Sequence, residues 1–189
     1  MSSCLESGQV AWSRRRLMSV LAAAASTSAV LVATTSVVRA DDWQEYRRDD
    51  LGFRIEMPGK PEVETKKEGL GDQIERVIDA QASDDEDDGR FGVHCTEYRE
   101  PVSAEQEYSR FRDGLRLAGL SVTRESVLTI NNVAAREFIR ESSDGANFVH
   151  RLLVVGRRTI GISVYGDHDI HESQGVQRFL RSFALLAGR

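Results

Sequence analysis

The densest chemistry in the sequence lies near its end, in Asp167-His168-Asp169-Ile170-His171-Glu172. His168 and His171 are three residues apart, so on one helical turn both imidazoles can share a metal ion, with carboxylates beside them. A zinc site takes three or four ligands, so His94 or His150 would have to join from strands. The competing reading is a helix cap. Asp167 or Asp169 then accepts backbone N–H groups at a helix start while both histidines face water. Residue types alone leave metal binding by this cluster open, and no residue is assigned as catalytic, cofactor-binding or metal-ligating.

Other chemistries have weaker signatures. Ser83 to Gly89 holds five consecutive acids, Asp84-Asp85-Glu86-Asp87-Asp88. A calcium loop would close with a glutamate six residues past the glycine, and that position is Cys95. The run is expected to be a solvated hairpin loop, since like charges facing one another destabilise a ladder. No Gly-x-Ser-x-Gly elbow is present. Cys95 shares a strand face with Phe91 and Val93, which predicts a buried, inert thiol. Carboxylate pairs able to hydrolyse glycosides depend on spatial positions that the sequence does not fix.

The elements that must carry these residues follow from periodicity. Trp43 to Arg48 reads as a short strand, and Phe53-Arg54-Ile55-Glu56-Met57 alternates with Phe53, Ile55 and Met57 on one face. Pro58 and Pro61 end it. Strands are expected at Glu62–Lys67, Gln73–Ala82 and Arg90–Tyr98, the last with His94, Thr96 and Tyr98 opposite its apolar face. Ser103-Ala104-Glu105-Gln106 has the form of a capping box. It opens a helix with the stripe Tyr108, Phe111, Leu115 and Ala118, stopped at Gly119. Hairpins follow: Val122–Ile130, a turn at Asn131-Asn132, then Val133–Glu141, and a turn at Ser142 to Gly145. Asn147–Val155 is apolar on both faces, as a central strand covered twice must be. Gly156 turns the chain into Thr159–Tyr165, and a helix is expected from about Ile170 to Arg181. This order predicts an α+β class, an antiparallel β-sheet with helices packed on it.

The first 40 residues read as an export signal. Arg14, Arg15 and Arg16 precede an apolar run from Leu17 to Val38, and Val38-Arg39-Ala40 fits a small-x-small cleavage site. Ser13, Arg14, Arg15, Leu17 and Met18 resemble a twin-arginine translocation signal, which a receptor reads as an address. Seven Ser and Thr residues make Leu17–Val38 a poor lipid-facing helix, although its length would suffice to span. Two regions are therefore expected: a cleaved signal over 1–40 and one α+β domain over 41–189, periplasmic or secreted. Cys4 would leave with the signal, so Cys95 would have no disulfide partner.

Without residues 1–40 the chain has 21 basic and 29 acidic residues, a formal charge of −8. That argues against nucleic acid, whose binders show a basic patch, and against an anionic membrane surface. No stable membrane insertion is expected after cleavage.

Tyr46, Phe53-Arg54-Ile55-Glu56-Met57-Pro58-Gly59-Lys60-Pro61, the hairpin from Phe148 to Val164 and Arg178-Phe179-Leu180-Arg181-Ser182-Phe183 together resemble the PsbP-like superfamily and its exported bacterial members. The resemblance implies an α/β/α sandwich around an antiparallel sheet. Its photosynthetic members are extrinsic lumenal photosystem II subunits, others are accessory or binding proteins, and few are enzymes. No functional residue carries over. The expectation is an exported, non-enzymatic binding or accessory module with an unknown protein or small-ligand partner and no cofactor. The alternative is a metal-dependent or hydrolytic periplasmic enzyme using His168 and His171.

Overall fold

The computed structural model describes residues 43–67, 71–84, 89–141, 147–166 and 170–186. The export segment over 1–40, the Gly69-Leu70 junction, Asp85 to Asp88, the Ser142–Gly145 turn and Asp167, His168 and Asp169 lie outside the described residues.

Among the described residues ten strands and two α-helices follow in the order β1 (Trp43–Arg48), β2 (Phe53–Pro58), β3 (Glu62–Lys66), β4 (Ile74–Asp84), β5 (Gly89–Tyr98), α1 (Ala104–Leu117), β6 (Arg124–Ile130), β7 (Val133–Arg140), β8 (Asn147–Val155), β9 (Arg158–Gly166), α2 (Gln174–Ser182) and β10 (Ala184–Leu185). Seven strands form one antiparallel sheet in the order β3-β4-β5-β9-β8-β7-β6. β1, β2 and β10 form a separate small sheet. The α+β, antiparallel expectation holds, with one addition: two-residue β10 returns to pair with Arg54 and Phe53 and makes the small sheet three-stranded.

The two faces of the large sheet bury different things. Phe91, Val93 and Cys95 of β5 lie beside Val164, Ile162 and Ile160 of β9. With Val149 and Leu153 of β8 they pack against Phe53, Ile55 and Met57 of the small sheet and Val176, Phe179 and Leu180 of α2. Phe91 meets Phe179 edge-on, with ring centroids 5.2 Å apart. The opposite face buries Phe138, Phe148 and Leu152 under Tyr108 and Leu115 of α1. β8 is therefore covered on both sides, which is why its sequence is apolar on both faces.

Local expectations needed three corrections. Ser103 occupies the N-cap of α1, but its side chain makes no capping bond; its carbonyl accepts from Glu107 N instead, at 3.1 Å. Ala118 is exposed, because α1 ends at Leu117 and the chain turns at Gly119, where φ is +72°. The closing helix begins later than Ile170. A 3₁₀ turn over Ile170–Glu172 comes first, and the Ser173 side chain accepts from Val176 N at 3.2 Å. Ser173 therefore caps α2. Among the described residues no helix is long and apolar enough to cross a membrane.

Candidate functional site

α1 covers only part of its face of the large sheet. Over β3, β4 and β5 the same face keeps Glu62, Glu64, Gln81 and His94 exposed. Strand pairing sets Glu64 beside Asp79, Asp79 beside His94, and His94 beside Gly161 in one row across four strands. Alternation along β5 puts Thr96 and Tyr98 on this face too.

Asp79, His94 and Thr96 form a hydrogen-bonded relay. Asp79 Oδ1 lies 2.5 Å from His94 Nδ1, and Thr96 Oγ1 lies 3.0 Å from His94 Nε2. The ionised carboxylate can only accept, so Nδ1 carries the proton. In the neutral ring Nε2 then accepts the threonine O–H. The bond from His94 holds the Asp79 carboxyl below its ordinary range, against the opposing effect of burial. The His94 side chain keeps 47% of its exposure, so this base is reachable from solvent.

The strip continues under the start of α1. Tyr98 donates its O–H to Glu107 Oε2 at 2.8 Å, and Arg110 donates to Glu107 Oε1 at 2.5 Å. Burial, then this bond, raises the Tyr98 pKa. Thr159 lies directly across from Thr96. Its hydroxyl is buried beside the Tyr98 oxygen but outside hydrogen-bonding geometry, and it has no hydrogen-bond partner among the described residues. His150 stacks on Phe111, with centroids 4.1 Å apart and planes 17° apart. It leans over Gly161, where a methyl group would sit 2.8 Å from Cε1 and 3.0 Å from Nε2. Neither ring nitrogen of His150 has a hydrogen-bond partner among the described residues. Burial, with a smaller contribution from His94, lowers its pKa to about 3.

That burial has a measurable consequence. An unfolded histidine titrates near 6.5, so below that pH the unfolded chain binds a proton that folded His150 refuses. Stability from this site is complete above pH 6.5. It falls by about 1.4 kcal/mol per pH unit as pH drops from 6.5 towards 3. Denaturant unfolding at pH 7.5 and pH 5 should show a loss of about 2 kcal/mol in the native chain. His150→Phe, which keeps a flat ring on Phe111, should remove most of that difference. An unchanged difference would mean that His150 is not the group responsible.

The described histidines are not gathered. His94 and His150 share the face that α1 partly covers. His171 lies by α2, its carbonyl accepting from Gln177 Nε2 at 2.8 Å. Its ring does not face water: both nitrogens are buried, and Nε2 stands 3.5 Å from Glu141 Oε1 without making a hydrogen bond. His168 lies outside the described residues. Among the described residues no three His, Cys, Asp or Glu side chains are arranged to hold a metal. Cys95 is buried in the core on the opposite face, and burial pushes its thiol up to about 12.

Sequence reading missed Asp79 and Thr159 altogether. Alternation could place His94 and Thr96 on one face, but only the β4–β5 and β5–β9 registers bring their partners beside them.

The chain matches no family model. It also matches no curated protein sequence. In three dimensions it is similar to the solution structure of cyanobacterial PsbP (CyanoP) from Synechocystis sp. PCC 6803, with a TM-score of 0.51 and 11% identity. The match covers 82% of this chain and 98% of that one. At that identity the likeness is one of fold, and the fold is PsbP-like.

Proposed function

We propose that this protein is an exported binding or accessory module that docks its partner on the uncovered half of the large sheet, over β3, β4 and β5. The observation that carries the reading is the offset of α1. The helix buries the β7–β8 half of one face and leaves Glu64, Asp79 and His94 as a polar row beside it, with exposed Gln81 in the next row. An exposed polar sheet face beside an ordered relay supports a docking role. Export by the twin-arginine route, cleavage after Ala40 and an α/β/α sandwich organisation belong to the same reading. They are supported by the Ser13-Arg14-Arg15 signature and by the likeness in fold to CyanoP. The formal charge of the chain beyond residue 40 points away from nucleic acid.

Site-specific photo-crosslinking in the exported fraction tests the docking face. A crosslinker at exposed Gln81 should trap one discrete adduct, and one at exposed Arg181 on α2 should not. Equal trapping at both positions, or none at either, would reject this face. Replacing both Arg14 and Arg15 by lysine should leave precursor in the cytoplasm; unimpaired export would reject the twin-arginine route.

A further inference from the structure

We propose that Thr96 is a nucleophile for small acyl esters, with His94 as its base and Asp79 as the positioning residue. This goes beyond partner docking and does not depend on it.

Nucleophilic catalysis by a hydroxyl needs a base within hydrogen-bond reach and a third group that fixes the base. Both contacts are present, at 3.0 Å and 2.5 Å, and each lies along or directly across the strand ladder, so neighbouring backbone holds it. Core packing does not demand this geometry, because His94 lies on the uncovered part of the face. Fixing an exposed imidazole between two partners costs side-chain entropy and buries little apolar area. Thr159 stands across the ladder from Thr96, its hydroxyl buried beside the Tyr98 oxygen. Thr96 is 7% exposed, which restricts the acyl group to a small one.

The step balances without an added oxidant or reductant. Thr96 Oγ1 attacks the carbonyl carbon while its proton passes to His94 Nε2. The bond from that carbon to the ester oxygen breaks, and the departing alkoxide takes the proton from Nε2. Water then attacks the Thr96 ester through the same base, releasing a carboxylic acid and restoring the hydroxyl. The net reaction is ester plus water to acid plus alcohol.

The test is intact-mass and peptide mapping of the whole exported protein treated with p-nitrophenyl acetate. One acetyl group should appear on Thr96, with release of nitrophenolate. Thr96→Ser should keep the label. Thr96→Val and His94→Asn should lower its rate of formation by about 100-fold or more, the scale of general-base assistance, with unchanged melting temperatures. Asp79→Asn should slow acylation while leaving Thr96 the labelled residue, because the imidazole loses the group that orients it. Acetylation confined to lysines, or a Thr96→Val chain labelled as fast as the native one, would overturn the proposal.

Discussion

Replacing Glu97 by alanine is expected to destabilise the fold by about 3–5 kcal/mol, the range found when one partner of a buried ion pair is removed. In a domain of this size that is a fall in melting temperature of about 10 °C. Glu97 is buried at the centre of a cross-strand row, with Arg76 on β4 to one side and Arg158 on β9 to the other. Arg158 Nε donates to Glu97 Oε1 at 3.0 Å, and Arg76 Nε donates to Oε2. The same arginines hold the turn between β1 and β2. Arg158 donates to the Leu51 carbonyl at 2.7 Å, and Arg76 pairs with Asp50 at 3.3 Å. Without the carboxylate, two guanidiniums are left under-compensated where the small sheet meets the large one. Glu97→Gln retains an acceptor and should cost less. The acid limb follows from the same row. Burial opposes ionisation of Glu97, but its bonds from Arg76 and Arg158 outweigh it and the pKa is lowered. The bond from Arg48 leads in holding Asp50 at about 2. Carboxylates with depressed folded pKa values contribute fully above the unfolded value near 4 and lose that contribution as pH falls through the folded value. The native chain should therefore lose stability below pH 4 more steeply than Glu97→Gln. Parallel curves for the two proteins would show that Glu97 is not held ionised by its arginines.

Gly161→Ala is the second large effect expected. A glycine-to-alanine change within a strand ordinarily gains roughly 0.5–1 kcal/mol through chain entropy. Here the added methyl meets a flat ring at 2.8 Å, and Phe111 stacks on that ring, so it cannot simply move away. Overpacking of this kind costs about 1–3 kcal/mol. The sign is decided by His150, which a double-mutant cycle can show. In a His150→Ala background the same Gly161→Ala change should be neutral or stabilising, a coupling of about 1–3 kcal/mol. Additive losses in urea unfolding would mean that the ring does not occupy the space above Gly161.

The elements and their faces were legible from local pattern. Phe53, Ile55 and Met57 are buried together, as their spacing required. Asn131 and Asn132 take the positive φ that a two-residue hairpin turn needs, at 49° and 65°. The apolar run of β8 marks the strand covered by α1 on one side and by the small sheet and α2 on the other. Cys95 is in the core, where its neighbours on β5 placed it. Strand and helix periods are properties of neighbouring residues, so side-chain order carries them directly.

Side-chain order could not show which strand lies beside which, or at what offset. Asp79 and His94 are 15 residues apart, and they meet only because β4 and β5 pair at that register across an acidic connection. Glu97 and Arg158 meet over 61 residues, and Gly161 makes room for a histidine from the next strand. His168 and His171 are close in sequence, whereas the ordered relay is spread over two strands. Packing between layers likewise decided that β1, β2 and β10 form their own sheet and that α1 covers one half of its face. Residue order determined each element and the side it buries; long-range pairing decided the relay, because register is fixed by the summed burial of whole strands.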